Sequence, residues 1–142
     1  MSSHRIYTVR EAEATLPLVK GIVADILATH RRWTELVARY ELLTGHVRAD
    51  DGEPPELVEL RAAAALDAER INACLVELEQ LGGVFKGFDH GLVDFYALKD
   101  DRLVFICWQP GEEHITHWHE VDAGFAGRQP IDAHMLAETV IG

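Results

Sequence analysis

The densest run of residues able to do chemistry is Glu112-Glu113-His114-Ile115-Thr116-His117-Trp118-His119-Glu120-Val121-Asp122. His117 and His119 are two apart, so on an extended strand both project to one face. Imidazole, carboxylate and thiolate are the donors that first-row divalent metals such as zinc accept. An acid and a cysteine are placed to join the histidines. Lys99-Asp100-Asp101-Arg102 reads as a tight turn. A two-residue loop at Asp100-Asp101 pairs Lys99 with Arg102, and that register sets Asp94 opposite Cys107. If the next hairpin loop has an odd number of residues, Cys107 falls opposite His117. Asp94, Cys107 and His117 then stand in a row on one face, with His119 diagonal to them. An even loop turns the histidines to the opposite face from Cys107. The alternative to a metal site is that these groups hydrogen-bond within a semi-polar sheet face or a subunit interface. The candidate metal ligands are therefore Asp94, His117 and His119, with Cys107 as a further donor.

A second candidate is Gly124-Phe125-Ala126-Gly127-Arg128-Gln129-Pro130. It is glycine-rich but lacks the lysine and Ser/Thr of a phosphate-binding loop. Its amides and Arg128 can hold an anion or a carboxylate; the alternative is a turn with Arg128 paired to a local acid. Trp108 and Trp118 read as core or interface residues. Cys74 and Cys107 read as two small buried hydrophobes rather than a disulfide framework. No Ser-His-Asp spacing, nucleophile elbow or dinucleotide fingerprint occurs.

These residues need a scaffold. Thr8-Val9-Arg10-Glu11 reads as a capping box that opens a helix. Pro17 removes an amide donor, so the spacing predicts a break at Thr15-Leu16 and a new helix with Pro17 in its first turn. Apolar residues at Val19, Ile22/Val23, Ile26/Leu27, Trp33, Leu36/Val37, Tyr40 and Leu43 continue it for on the order of 40 Å. The stripe has a gap near His30, which reads as a half-buried, hydrogen-bonded histidine. Residues 45–55 carry Gly45, Asp50-Asp51-Gly52 and Pro54-Pro55 and form a linker. A second helix starts near Pro55, repeats Leu57, Leu60, Ala64, Ala68, Ile71, Leu75, Leu78 and Leu81, and ends at Gly82-Gly83.

Beyond Gly83 the period changes to that of strands: Leu92–Leu98, Leu103–Gln109 and Ile115–His119, with Val84-Phe85-Lys86 as a fourth. The middle strand is apolar on both faces, so both sides of the sheet should be covered. Ile131–Val140 reads as a short helix. The expected fold is a single α+β domain over 1–142: a long antiparallel helical hairpin at 1–83, then a small antiparallel β-meander and C-terminal tail at 84–142. Such a hairpin cannot cover its own apolar stripe, so a homo-oligomer, most simply a dimer, is expected.

Charge and hydropathy narrow the function classes. With 24 acidic and 13 basic residues the formal net charge is -11, a field that repels nucleic acid and anionic membranes. No apolar run approaches the ~20 residues of a bilayer span, and the first residues lack a signal-peptide stretch. A cytoplasmic protein with no nucleic-acid or membrane partner is expected.

Four blocks of residues resemble a known family: Tyr7-Thr8 with Glu11-Ala12 and Leu16-Pro17-Leu18; Gly91-Leu92-Val93-Asp94-Phe95; Cys107-Trp108 with Gly111-Glu112; and Trp118 through Arg128. Together they resemble the bacterial domain-of-unknown-function family 2203. The resemblance implies no activity. It centres on Asp94, Trp118, His119, Asp122, Gly127 and Arg128, and so favours His119 with an acidic partner over the double-histidine site. Two readings stand. The first is a non-catalytic oligomeric scaffold or interaction module. The alternative is a metal-binding protein, such as a metal-dependent hydrolase, with its site on the histidine-bearing strand.

Overall fold

A computed structural model describes residues 5–48 and 52–137. The expectations for Asp50-Asp51 and for the end of the C-terminal helix beyond 137 lie outside these residues. Two long helices come first, α1 (Val9–Thr44) and α2 (Pro55–Gln80). A five-stranded antiparallel sheet follows in the order β1 (Val84–Phe85), β2 (Val93–Lys99), β3 (Arg102–Trp108), β4 (His117–Glu120) and β5 (Gln129–Pro130). A short helix, α3 (Ala133–Ala137), closes the described chain.

The capping box forms as expected. Glu11 N–H donates to Thr8 Oγ1 at 3.0 Å, and Thr8 N–H donates to Glu11 Oε1 at 2.9 Å. The expected break at Thr15-Leu16 does not occur: α1 runs unbroken through Pro17. Its buried residues Val9, Ala12, Leu16, Val19, Val23 and Ile26 alternate steps of three and four with no slip at the proline. A break would throw that stripe out of phase. Holding it in phase outweighs an interior proline's cost of about 3 kcal/mol, and the exposed ring of Pro17 faces solvent.

The second helix ends as its glycines require. Gly83 N–H donates to the Leu78 carbonyl and Gly82 N–H to that of Glu79, with Gly82 at φ 92°. This is the Schellman arrangement, which puts the residue after the cap in the left-handed region. The helices pair antiparallel, as the ion pairs Arg32–Asp67 and Asp25–Arg70 show. The gap in the stripe near His30 is filled by a ring, since His30 stacks on Phe88 with centroids 3.7 Å apart.

Asp100 and Asp101 both take positive φ, 53° and 63°, the type I′ geometry that a two-residue hairpin loop needs. The register is therefore the one expected: Lys99 opposite Arg102, and Asp94 opposite Cys107. The sheet has two unlike faces. Val93, Phe95, Ala97, Val104, Ile106, Trp108 and Trp118 join Val19, Val23, Ile26 and Leu78 in the main core. Both tryptophans thus belong to the core. Asp94, Tyr96, Phe105, Cys107 and His119 project from the opposite face. That face is also covered, by Lys86 over the Phe105 ring and by Arg128 on Cys107. Among the described residues no helix is long and apolar enough to cross a membrane.

Candidate metal centre

The β3–β4 ladder sets Cys107 opposite His117 and Phe105 opposite His119, so the loop is of the odd kind. Three strands thus present one row, Asp94–Cys107–His117, on the face away from the helices. The donors that gather are a different three. Ligand atoms of Asp94, Cys107 and His119 all lie within 4.8 Å of one another, and all three residues are buried. His117 faces the same side, but its Nδ1 lies 2.8 Å from Thr116 Oγ1 and 3.7 Å from Glu112 Oε2, toward the sheet's rim.

The orientation of His119 is settled by its neighbours. Its Nδ1 is 2.7 Å from the Glu120 carbonyl oxygen. A carbonyl can only accept, so Nδ1 carries the proton. Nε2 then faces Asp94 Oδ2 at 3.0 Å. A backbone carbonyl holding one ring nitrogen while the other points at the donor cluster is the usual support of a metal-ligating histidine. The remaining oxygen of Asp94, Oδ1, is buried without a hydrogen-bond partner. Such an atom costs about 1–3 kcal/mol unless something else satisfies it.

Burial pushes the Asp94 carboxyl above its ordinary range, against the pull of His119, Lys86 and Arg128. Burial also pushes the Cys107 thiol up to about 11, although Arg128 opposes it. Cys107 is therefore a thiol near neutral pH and a poor nucleophile.

Arg128 and its partners tie the cluster to the loops. Its Nε is 3.1 Å from Cys107 Sγ, and Nη1 donates to Gln109 Oε1 at 3.3 Å. Nη2 reaches both oxygens of Glu112 at 2.8 and 3.0 Å. Of the two readings of this segment, the structure has Arg128 paired to a local acid. On the far side Lys86 Nζ lies 3.8 Å from Asp94 Oδ2. A cavity of about 210 Å³ reaches Asp94 and His119 past Lys86, His90, Leu92, Val121, Gly124 and Phe125. Glu112 stood within the acidic run, whereas Lys86 and His90 carried no local signal in the sequence. Both owe their place to the β1–β2 connection folding over the sheet.

The donor set fits a tetrahedral ion of zinc type. Bonds of about 2.0–2.3 Å imply ligand–ligand edges of about 3.3–3.7 Å. From at most 4.8 Å, the side chains need to close by at most about 1.5 Å.

The model of a family described as "Uncharacterized conserved protein (DUF2203)" matches residues 5–131, a span that contains every residue of this cluster. No curated protein and no solved structure matches the chain.

Proposed function

We propose that this chain, which belongs to the DUF2203 family, binds a divalent first-row transition metal of zinc type through Asp94, Cys107 and His119. The observation that carries the reading is the buried three-strand donor group in which Asp94 Oδ1 has no partner. A carboxylate, a thiolate and an imidazole leave a tetrahedral ion one further position, and the Lewis-acid chemistry supplied there is that of a metal-dependent hydrolase. The cavity beside Asp94 and His119 supports access to that position. His117 and Arg128 take other parts, since Glu112 engages both. Cys107 would hold the ion as its thiolate, its proton passing to solvent, because only the thiolate ligates.

Tag-free protein dialysed against zinc and then against metal-free buffer should retain stoichiometric zinc by elemental analysis. Cys107→Ala and His119→Ala should each lose it. Wild-type protein that retains no zinc, manganese or nickel contradicts the proposal.

A separate observation favours self-association. Leu42 and Leu66, on the two helices of the hairpin, are more than three-fifths exposed, and pairing with a second copy would cover such surface.

A further inference from the structure

We infer that the open position of the centre takes a small monoanionic carboxylate with a short apolar body, and that Lys86 is its second anchor. The inference rests on the metal reading above and goes beyond it in naming the ligand class.

Charge carries the first part. A divalent ion held by the Asp94 carboxylate and the Cys107 thiolate is neutralised by its own ligands. Arg128, next to Cys107, is in turn neutralised by Glu112, which accepts two hydrogen bonds from it. Among the described residues around the site, one cation is left over. Lys86 Nζ stands 3.8 Å from Asp94 Oδ2 and 4.4 Å from the centroid of the Phe105 ring, with about a third of its side chain exposed. In the metal-free protein Asp94 is its counter-ion. Once an ion takes Asp94, the ammonium faces a metal centre of zero net charge with no acid of its own. Among the described residues lining the cavity, Asp94 is the one acid. A single negative charge bridging the metal and Lys86 balances the site, and a dianion overshoots it.

Size and wall chemistry carry the second part. The cavity of about 210 Å³ has room for a small molecule. Leu92, Val121 and Phe125 supply apolar wall, and His90 lies flat on Phe125 with centroids 4.1 Å apart and planes 6° from parallel. A carboxylate with a few carbons places its head between metal and Lys86 and its body on this wall. Inorganic phosphate offers the head without the body.

The test uses the full chain loaded with cobalt(II), whose visible spectrum reports its ligands. Butyrate, butyramide and inorganic phosphate are titrated into wild type and Lys86→Met. Butyrate should change the spectrum saturably at near-neutral pH, butyramide should not, and phosphate should bind more weakly than butyrate. Lys86→Met should weaken butyrate by about 10- to 100-fold, the loss of one charge-assisted hydrogen bond. It should leave the cobalt spectrum without butyrate intact, which shows that the variant is folded. A spectrum indifferent to butyrate, equal responses to acid and amide, tighter binding of phosphate, or no effect of Lys86→Met would each overturn the inference while the metal centre stands. Failure of the wild type to bind cobalt at all sinks the centre and the inference together.

Discussion

His119 and Asp94 meet across 3.0 Å above strand β3, each reaching over it from a flanking strand, and both side chains are buried. The contact leaves Asp94 Oδ1 unpartnered. Asp94→Asn removes the desolvated charge and still offers an amide N–H to His119 Nε2. In metal-free protein at neutral pH the variant should melt at a higher temperature, by the equivalent of about 1–3 kcal/mol, while losing zinc. A clear drop in its melting temperature would assign the pair a purely structural role.

The hairpin has a polar tie of its own. Asp67 is buried on the α2 seam, and Arg32 donates to both its oxygens at 2.9 and 2.6 Å. Arg32→Ala strands that carboxylate and should cost about 1–3 kcal/mol at neutral pH. The Arg32 hydrogen bond holds the Asp67 carboxyl below its ordinary value. Its stabilisation is therefore full above the ordinary carboxylate pKa of about 3.9 and is lost as pH falls through the lowered folded value. Thermal melts on both proteins should show the gap between wild type and Arg32→Ala shrinking below about pH 4. A constant gap from pH 7 to pH 3 would refute the assignment.

Gly82 stands at φ 92° with the Tyr7 ring where a Cβ would go, and Tyr7 Oη donates to the Leu81 carbonyl at 3.0 Å. Gly82→Ala should cost about 1–3 kcal/mol from the backbone alone, and more as Tyr7 shifts. Chemical denaturation measures it; a midpoint equal to wild type would mean that the turn relaxes freely.

Self-association through the helices should give the mass of at least two chains in light scattering at micromolar concentration. Leu66→Glu, at a position about two-thirds exposed, should shift that mass toward one chain without loss of helix by circular dichroism. A wild-type mass of one chain would remove the oligomer.

Much of this architecture was legible because it depends on local rules. The two-residue turn at Asp100-Asp101 sets the register of β2 on β3, and the capping box sets the start of α1. The continuity of α1 through Pro17 was not legible from the proline alone, although the unbroken phase of Val9, Ala12, Leu16, Val19 and Val23 contains it. Asp67 lies outside the apolar repeat of α2, and its burial depends on Arg32 arriving from the other helix. The site shows the same division. Strand alternation put His117 and His119 on one face, and the resemblance favoured His119. Only the pull of Thr116 and Glu112 on His117, and the Glu120 carbonyl on His119, decide which ring turns inward. Strand β5 was unforeseen, since Gln129-Pro130 has no strand composition and pairs only because β4 offers an edge.

The most direct measurement of the central claim is cobalt(II) uptake followed by absorption on wild type, Cys107→Ala and His117→Ala. Wild type should show a near-ultraviolet thiolate-to-cobalt band and intense tetrahedral visible bands. Cys107→Ala should lose the thiolate band and His117→Ala should retain both features, because His117 lies outside the donor group. Weak octahedral cobalt absorption in wild type, or a thiolate band that survives in Cys107→Ala, would contradict it.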